Sequence, residues 1–262
     1  MSVPAFRRRI LIEPSPGVVT AELEDDWHRM VVTLTHRDGI VLDVASEMKR
    51  WPWTTCRGAI AQLAETFKGC LLDEVARRGE RTQNCTHLHD LALFAAAHAR
   101  GTASVAYDVT VTDPVDGRRV AELLRNGALM FSWSQENDAF VAPSGLAGLR
   151  LSELGEWIST LDRDRREGAR ILRWATIMAY GRAMDIPEGL SATTFPTGAC
   201  YTFQPEQAQD AIRRPDVPRD LSQDGAVPLA DRARIFDLLH GSAGNIATLG
   251  TRIPDADRGR PG

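Results

Sequence analysis

The chain has 262 residues, of which 43% are hydrophobic and 25% charged, a composition typical of a globular protein with a buried core. A net charge of −4 provides no basic surface for nucleic acid, and no apolar run approaches the roughly 18 residues that span a bilayer. The first residues contain no apolar stretch typical of a signal peptide. We therefore expect a cytoplasmic protein without nucleic-acid or membrane partners, whose four cysteines are reduced thiols or ligands.

Residues 1–101 are predicted to form an antiparallel sheet followed by helices. Within "HRMVVTLTHRDGIVLDVASEM", the pair Asp38-Gly39 predicts a tight hairpin turn. Strand alternation should give each arm of this hairpin one common face: Met30, Val32 and Leu34 on the first arm, and Ile40, Leu42 and Val44 on the second. A helix is predicted to begin near Thr54 and to end at Gly69, and another should begin near residue 87.

Residues 102–218 repeat this order, with strands first and helices second. The basic helix "GARILRWATIMAYGR" should expose Arg170, Arg173 and Arg182 on a solvated face, with binding of an anionic ligand as the alternative. For residues 219–262 we expect a loosely attached helix over residues 229–241 and a flexible tail. The predicted fold class is α+β, an antiparallel sheet followed by packed helices. The repeated order permits two similar halves, and a homo-oligomer is compatible with it.

The segment "RTQNCTHLHDLALFAAAHAR" places chemically active side chains in the first turn of an apolar helix. On a helical wheel, Leu88 and its neighbours form the packing face, His87 lies beside it, and His89 projects away toward solvent. Cys85 precedes the helix, where the helix dipole and unpaired amides favour a thiolate. Cys56 has a similar position, in the first turn of the preceding helix. Each residue taken alone also fits ordinary packing.

The motifs "PWTTC" and "CTHL", with "DDWHRM" upstream, resemble the bacterial proteins grouped as domain of unknown function 2889. The resemblance extends over roughly residues 8–218, with specific motifs in the first half. It implies that His28, Cys56, Cys85 and His87 share one site. A more distant likeness to iron–sulfur cluster assembly scaffolds concerns the Cys85 helix, although Asn84 stands where those scaffolds have histidine.

Several roles follow for these residues. Cys85, His87, His28 and Cys56 are the candidate catalytic groups, and the same four are the candidate ligands if zinc or iron is bound. Glu47 and Asp90 are candidates for supporting these groups or for acid–base duty. Trp27 and Trp53 are candidates for an apolar substrate wall, with core packing as the alternative.

Our first hypothesis is a small-molecule enzyme. A thiolate or a metal would assist a hydrolase or lyase reaction on an acyl or carbonyl substrate, which could be aromatic. The alternative is a structural or iron–sulfur-type metal-binding scaffold without catalysis.

Overall fold

The computed structural model describes residues 3–184, 186–223 and 226–232. Its central element is one antiparallel sheet of eight strands in the order β4-β3-β2-β1-β5-β6-β7-β8. The strands are β1 Ala5–Ser15, β2 Val18–Asp25, β3 Arg29–Arg37, β4 Ile40–Arg50, β5 Val105–Thr112, β6 Arg118–Arg125, β7 Ala128–Glu136 and β8 Ala139–Ala142. The predicted α+β class is confirmed.

The sheet consists of two four-stranded meanders joined by antiparallel pairing of β1 with β5. In that pairing Ile10 lies opposite Tyr107, and both residues are fully buried. Helices follow each meander in the chain, so both halves have the same strand-then-helix order. Because the central strands pair across the junction, the core is continuous from one half to the other.

The hairpin between β3 and β4 confirms the predicted turn and corrects the face of its second arm. Asp38 and Gly39 both have positive φ, at 52° and 79°. Thr35 pairs with Asp43 but His36 pairs with Val41, so Leu42 is the extra residue of a bulge. The bulge reverses the alternation beyond it. Ile40 and Leu42 are therefore exposed, while Val41 and Val44 are buried.

The helices pack on one face of this sheet. Their bounds are α1 Ala59–Phe67, α2 Thr86–His98, α3 Leu154–Thr160, α4 Arg163–Ala179 and α5 Pro205–Ala208. Short 3-10 turns cover Thr54–Gly58, Leu72–Arg77, Arg81–Gln83, Ser144–Leu146, Leu151–Glu153, Tyr180–Ala183, Ala192–Thr194 and Tyr201–Phe203. Helix α2 packs on β1 to β3, and α4 packs on β5 to β7. None of the described helices combines the length and apolarity that crossing a bilayer requires.

The described part of the segment beyond residue 218 lies against the first meander. Leu229 is fully buried and its backbone N–H donates to a carboxylate oxygen of Glu24 at 2.6 Å. Arg29 pairs with Asp231 at 2.7 Å. Most of the helix expected over residues 229–241, and the tail predicted after it, lie outside the described residues.

Two helical glycines should respond in opposite ways to a methyl group. A Cβ on Gly168 of α4 would lie 2.5 Å from Met130 Sδ and 3.3 Å from the Phe131 ring, whereas one on Gly155 of α3 would meet nothing within 4 Å. We expect Gly168→Ala to lower the free energy of unfolding by about 1 kcal/mol through overpacking. Gly155→Ala should raise it by about 0.5 kcal/mol by restricting the unfolded chain. Urea denaturation measures both, and equal effects would contradict the packing of α4 on the sheet.

Candidate functional site

A cavity of about 760 Å³ lies among α2, α4, the turn before β3 and the segment 186–213. Seven of the eight predicted site residues line it: Trp27, His28, Trp53, Cys56, Cys85, His87 and Asp90. The eighth, Glu47, lies away from it on β4, with a side chain that is 64% exposed and 3.9 Å from Lys49. Residues that lie up to 63 positions apart in the sequence therefore converge on one cavity, and Glu47 is not among them.

The turn that leads into β3 holds a buried carboxylate against His28. Asp25 Oδ1 accepts hydrogen bonds from the backbone N–H groups of Trp27 at 2.8 Å and His28 at 2.7 Å. The same oxygen lies 3.2 Å from His28 Nδ1. The turn closes with a backbone hydrogen bond from Asp25 N–H to the His28 carbonyl at 2.8 Å. The His28 ring is thereby fixed in both position and tautomer.

Arg8 on β1 neutralises this carboxylate. Its Nε and Nη2 donate to Asp25 Oδ2 at 2.9 and 2.5 Å, and neither side chain has any exposed surface. Burial alone would raise the pKa of Asp25, but the charge of Arg8, reinforced by His28, holds that pKa well below its usual range. Asp25 is therefore a permanently ionised group inside the core.

His87, in the first turn of α2, stacks on His28. The ring centroids are 3.7 Å apart and the planes differ by 27°. The Trp174 ring lies on His87 at 4.7 Å, and the His87 Nε2 atom is buried without a hydrogen-bond partner among the described residues. Burial, followed by the proximity of His28 and Arg8, lowers the pKa of His87 well below its usual value. His87 is therefore neutral at physiological pH.

The thiols of the cavity are neutral, contrary to the expectation of a thiolate at the start of α2. Cys85 is the N-cap residue of α2 and is 7% exposed. Burial, together with the neighbouring Cys200 and Cys56, raises its pKa despite the amides of His87 and Leu88. Burial also raises the pKa of Cys56 to about 12, even though the Thr202 hydroxyl donates to its sulfur at 3.3 Å. For the pKa of Cys85, the effect of desolvation therefore outweighs the opposing effect of the helix N-terminus.

Thiol labelling tests this protonation state. At pH 7.5 we expect Cys56 and Cys85 of the native protein to react with a disulfide reagent far more slowly than a free cysteine, because both are buried and protonated. The half-buried Cys200 should react first, and all four thiols should react after unfolding. Peptide mapping identifies the labelled residues. Rapid labelling of Cys85 in the native protein would contradict this description.

The predicted metal ligands do not form one coordination group. In the part of the chain that the structure describes, Asp25, His28 and His87 are the only three potential ligands whose donor atoms all lie within 4.8 Å of one another. Both oxygens of Asp25 already accept hydrogen bonds, so a zinc or iron ion held by these three residues would compete with those contacts.

His89 is buried, which corrects its expected position in solvent. It is 5% exposed, its ring lies 5.2 Å from Phe67, and it lines the cavity. Its Nδ1 is 3.6 Å from Asp90 Oδ1, too long for a hydrogen bond. Asp90 itself is held by Arg81 at 2.6 Å. Helix α2 is buried on most of its circumference, so a single packing face was the wrong description.

The three arginines expected on a solvated face differ in their surroundings. Arg170 is exposed as expected and lines the cavity together with the half-buried Arg173. The half-buried Arg182 follows α4 and lies in a cluster of carboxylates that includes Asp113 at 3.0 Å. Three further groups at the site, Asp25, Trp174 and Arg213, were not predicted from the sequence. A signal existed for the first, since "EDDWHRM" opens with three consecutive acidic residues at the end of a strand, and acidic residues are seldom buried unless they are paired.

Residues 15–100 match the family described as "Protein of unknown function (DUF2889)". This confirms the resemblance carried by the "PWTTC" and "CTHL" motifs, and the matched segment extends from the end of β1 to the end of α2. It includes His28, Cys56, Cys85 and His87, whereas α4 and the segment 186–213 lie beyond it. No curated protein and no solved structure matched the chain. The likeness to iron–sulfur scaffolds is not shown by these comparisons.

Proposed function

We propose, on the premise that residues 15–100 carry the domain of unknown function 2889, that this protein is a small-molecule enzyme that uses acid–base catalysis. The reaction class is a hydrolase or lyase reaction on an acyl or carbonyl substrate. The observation that carries the proposal is the Asp25–His28–His87 stack, a carboxylate-supported imidazole and a neutral imidazole on the wall of one cavity.

His28 serves as the general base. Because Asp25 Oδ1 accepts a hydrogen bond from Nδ1, the neutral ring carries its proton on that atom and leaves Nε2 as the proton acceptor. The carboxylate also stabilises the positive ring that forms when Nε2 takes a proton. Arg8 keeps Asp25 ionised throughout, so the proton stays on His28 instead of moving to the carboxylate.

His87 serves as a hydrogen-bond donor to the substrate oxygen. A ring that stays neutral can donate its N–H to a carbonyl without adding a second charge beside a protonated His28. Two stacked imidazolium rings would repel each other at 3.7 Å, so the pair holds at most one positive charge. The geometry thus supports a division of roles between base and donor.

The cavity wall favours an apolar or aromatic substrate. Trp53 contacts Phe195 at 5.6 Å and Phe203 at 5.4 Å, edge to face, and all three rings line the cavity together with Trp27. Such a wall excludes water from the reacting groups and accommodates a ring or chain of the substrate. Cys85 and Cys56 contribute apolar surface here, because their raised pKa values keep them protonated.

A turnover screen tests the proposal. Aryl esters and thioesters probe hydrolysis, and β-hydroxy acyl compounds and their unsaturated counterparts probe elimination and addition. The wild-type protein should convert at least one class, and His28→Asn should slow that conversion at least about 10²-fold while retaining the fold. Elemental analysis accompanies the screen. One bound zinc or iron per chain that is lost with both histidines would contradict acid–base catalysis and favour the metal-binding alternative.

A further inference from the structure

The cavity has an excess of positive charge that its own residues do not balance. Its lining includes four arginines and one carboxylate, and the Asp90 carboxylate is already paired with Arg81. Three guanidinium groups remain, those of Arg170, Arg173 and Arg213, which gives a local formal charge of +3 in a protein whose net charge is −4. His87 lines the same cavity and, being neutral, adds nothing to this charge.

Arg213 is the most deeply placed of these groups. It is 3% exposed, and no carboxylate of the described residues lies within salt-bridge distance of it. Its Nη1 donates to the backbone carbonyl of Arg214 at 2.5 Å, while its Nε is buried without a partner. Burial lowers its pKa, and the exposed Glu188 only partly opposes that effect. A buried, unpaired charge is costly, so a folded protein that retains one commonly uses it for binding.

The backbone fixes Arg213 beside the turn that leads into β3. Its N–H donates to the Leu190 carbonyl at 2.8 Å, and Gly189 N–H donates to its carbonyl at 3.0 Å. Residue 213 also forms an antiparallel bridge with Trp53. The guanidinium carbon lies 5.1 Å from the centre of the Trp27 ring, next to His28 in the chain. Trp27 Nε1 is a second buried donor without a partner in the described part of the chain.

We infer that Arg213 is a specificity-determining residue that binds an oxyanion group of the substrate, so that the natural substrate is an aromatic or apolar organic anion. This inference rests on the proposed function only in placing the ligand in the same cavity. A guanidinium group suits a carboxylate or a phosphate because its N–H groups form paired, charge-assisted hydrogen bonds with two oxygens. Arg170 and Arg173 add a positive field at the α4 side of the cavity. The residue lies outside the segment that the family model matches, so members that share residues 15–100 can differ in substrate here.

Equilibrium binding to the full chain tests this inference without requiring turnover. The probes are 2-naphthoate, 2-naphthyl phosphate and the neutral 2-naphthamide, measured by tryptophan fluorescence and by calorimetry. We expect 2-naphthoate, 2-naphthyl phosphate or both to bind at least about ten-fold more tightly than 2-naphthamide. The preferred anion shows whether the site selects a carboxylate or a phosphate. In Arg213→Met this preference should disappear, whereas Arg118→Met, on an exposed arginine of β6, should retain it.

Thermal unfolding provides the second measurement. Without ligand, Arg213→Met should unfold at the same temperature as the wild type or higher, because an unpaired buried charge is removed. Equal affinity of the wild type for anion and amide, no binding of any probe, or an unchanged preference in Arg213→Met would overturn the inference. The protein could bind anions selectively and yet show no turnover that depends on His28. That result would refute the proposed enzymatic function but would support the anion-binding role of Arg213.

Discussion

Replacing Asp25 with asparagine should lower the free energy of unfolding by about 3–5 kcal/mol, the usual effect of breaking a buried ion pair on one side. Asparagine keeps the shape and can still accept hydrogen bonds from the backbone N–H groups of Trp27 and His28. It removes the charge that neutralises Arg8, whose side chain has no exposed surface. The lost free energy of unfolding therefore measures the cost of leaving the Arg8 guanidinium buried without its counter-charge, because the hydrogen bonds of the turn remain.

The pair formed by Arg9 and Asp108 provides the matched control. It joins β1 to β5 with a similar distance, 2.6 Å, but its side chains are 12% and 25% exposed. Water and salt screen such a pair, so Asp108→Asn should change the free energy of unfolding by no more than about 1 kcal/mol. Denaturation by urea, monitored by circular dichroism, compares the two variants. Equal losses would contradict the assignment of Asp25 and Arg8 as a fully buried pair.

The pH dependence of the Asp25 effect has a definite sign. The folded protein lowers the pKa of Asp25 below the value of about 3.9 that it has in an unfolded chain. The stabilisation from its ionised form is thus fully present above about pH 4 and is lost as the pH falls further. Because Asp25→Asn lacks this ionisation, the stability difference between wild type and variant should shrink as the pH falls below about 4.

Local sequence signals predicted the elements of the fold better than their faces. The Asp38-Gly39 turn and the start of α2 near residue 87 follow from rules that act within a few residues, and both are present. The exposure of Leu42 depends on a β-bulge, which cannot be predicted from the alternation of apolar and polar residues. The burial of His89 depends on how many neighbours surround α2. Its unbroken apolar run "LALFAAA" was the available sign of burial on several sides.

The candidate site was predictable only in part, for a similar reason. The family motifs indicated His28, Cys56, Cys85 and His87, and all four line one cavity. The pKa of Cys85 is lowered by the helix N-terminus and raised by desolvation, and the second effect depends on burial, which the sequence does not give. Arg213 is distant in sequence from every motif and reaches the site through its bridge to Trp53. Contacts of that kind arise from the tertiary fold.

Replacing His28 with asparagine should lower kcat/KM about 10²- to 10⁴-fold for the substrate class found in the screen, the usual contribution of a general base. His87→Gln should lower it about 10²-fold, because the substrate oxygen loses one aligned donor. The two effects should not add. Once the base is absent there is no developing charge to stabilise, so the double variant should resemble His28→Asn alone.

Cys85→Ser distinguishes acid–base catalysis from a thiolate mechanism in the same assay. The serine hydroxyl retains the size and the position at the start of α2, and a buried, protonated thiol has no charge to lose. We therefore expect kcat/KM to change by less than about ten-fold, against the 10²-fold or greater loss expected for His28→Asn. A nucleophilic cysteine would give the opposite order, since a serine in its place is a far weaker nucleophile without its own base. If Cys85→Ser lost turnover while His28→Asn retained it, the catalytic role would belong to the Cys85 thiol and not to the two histidines.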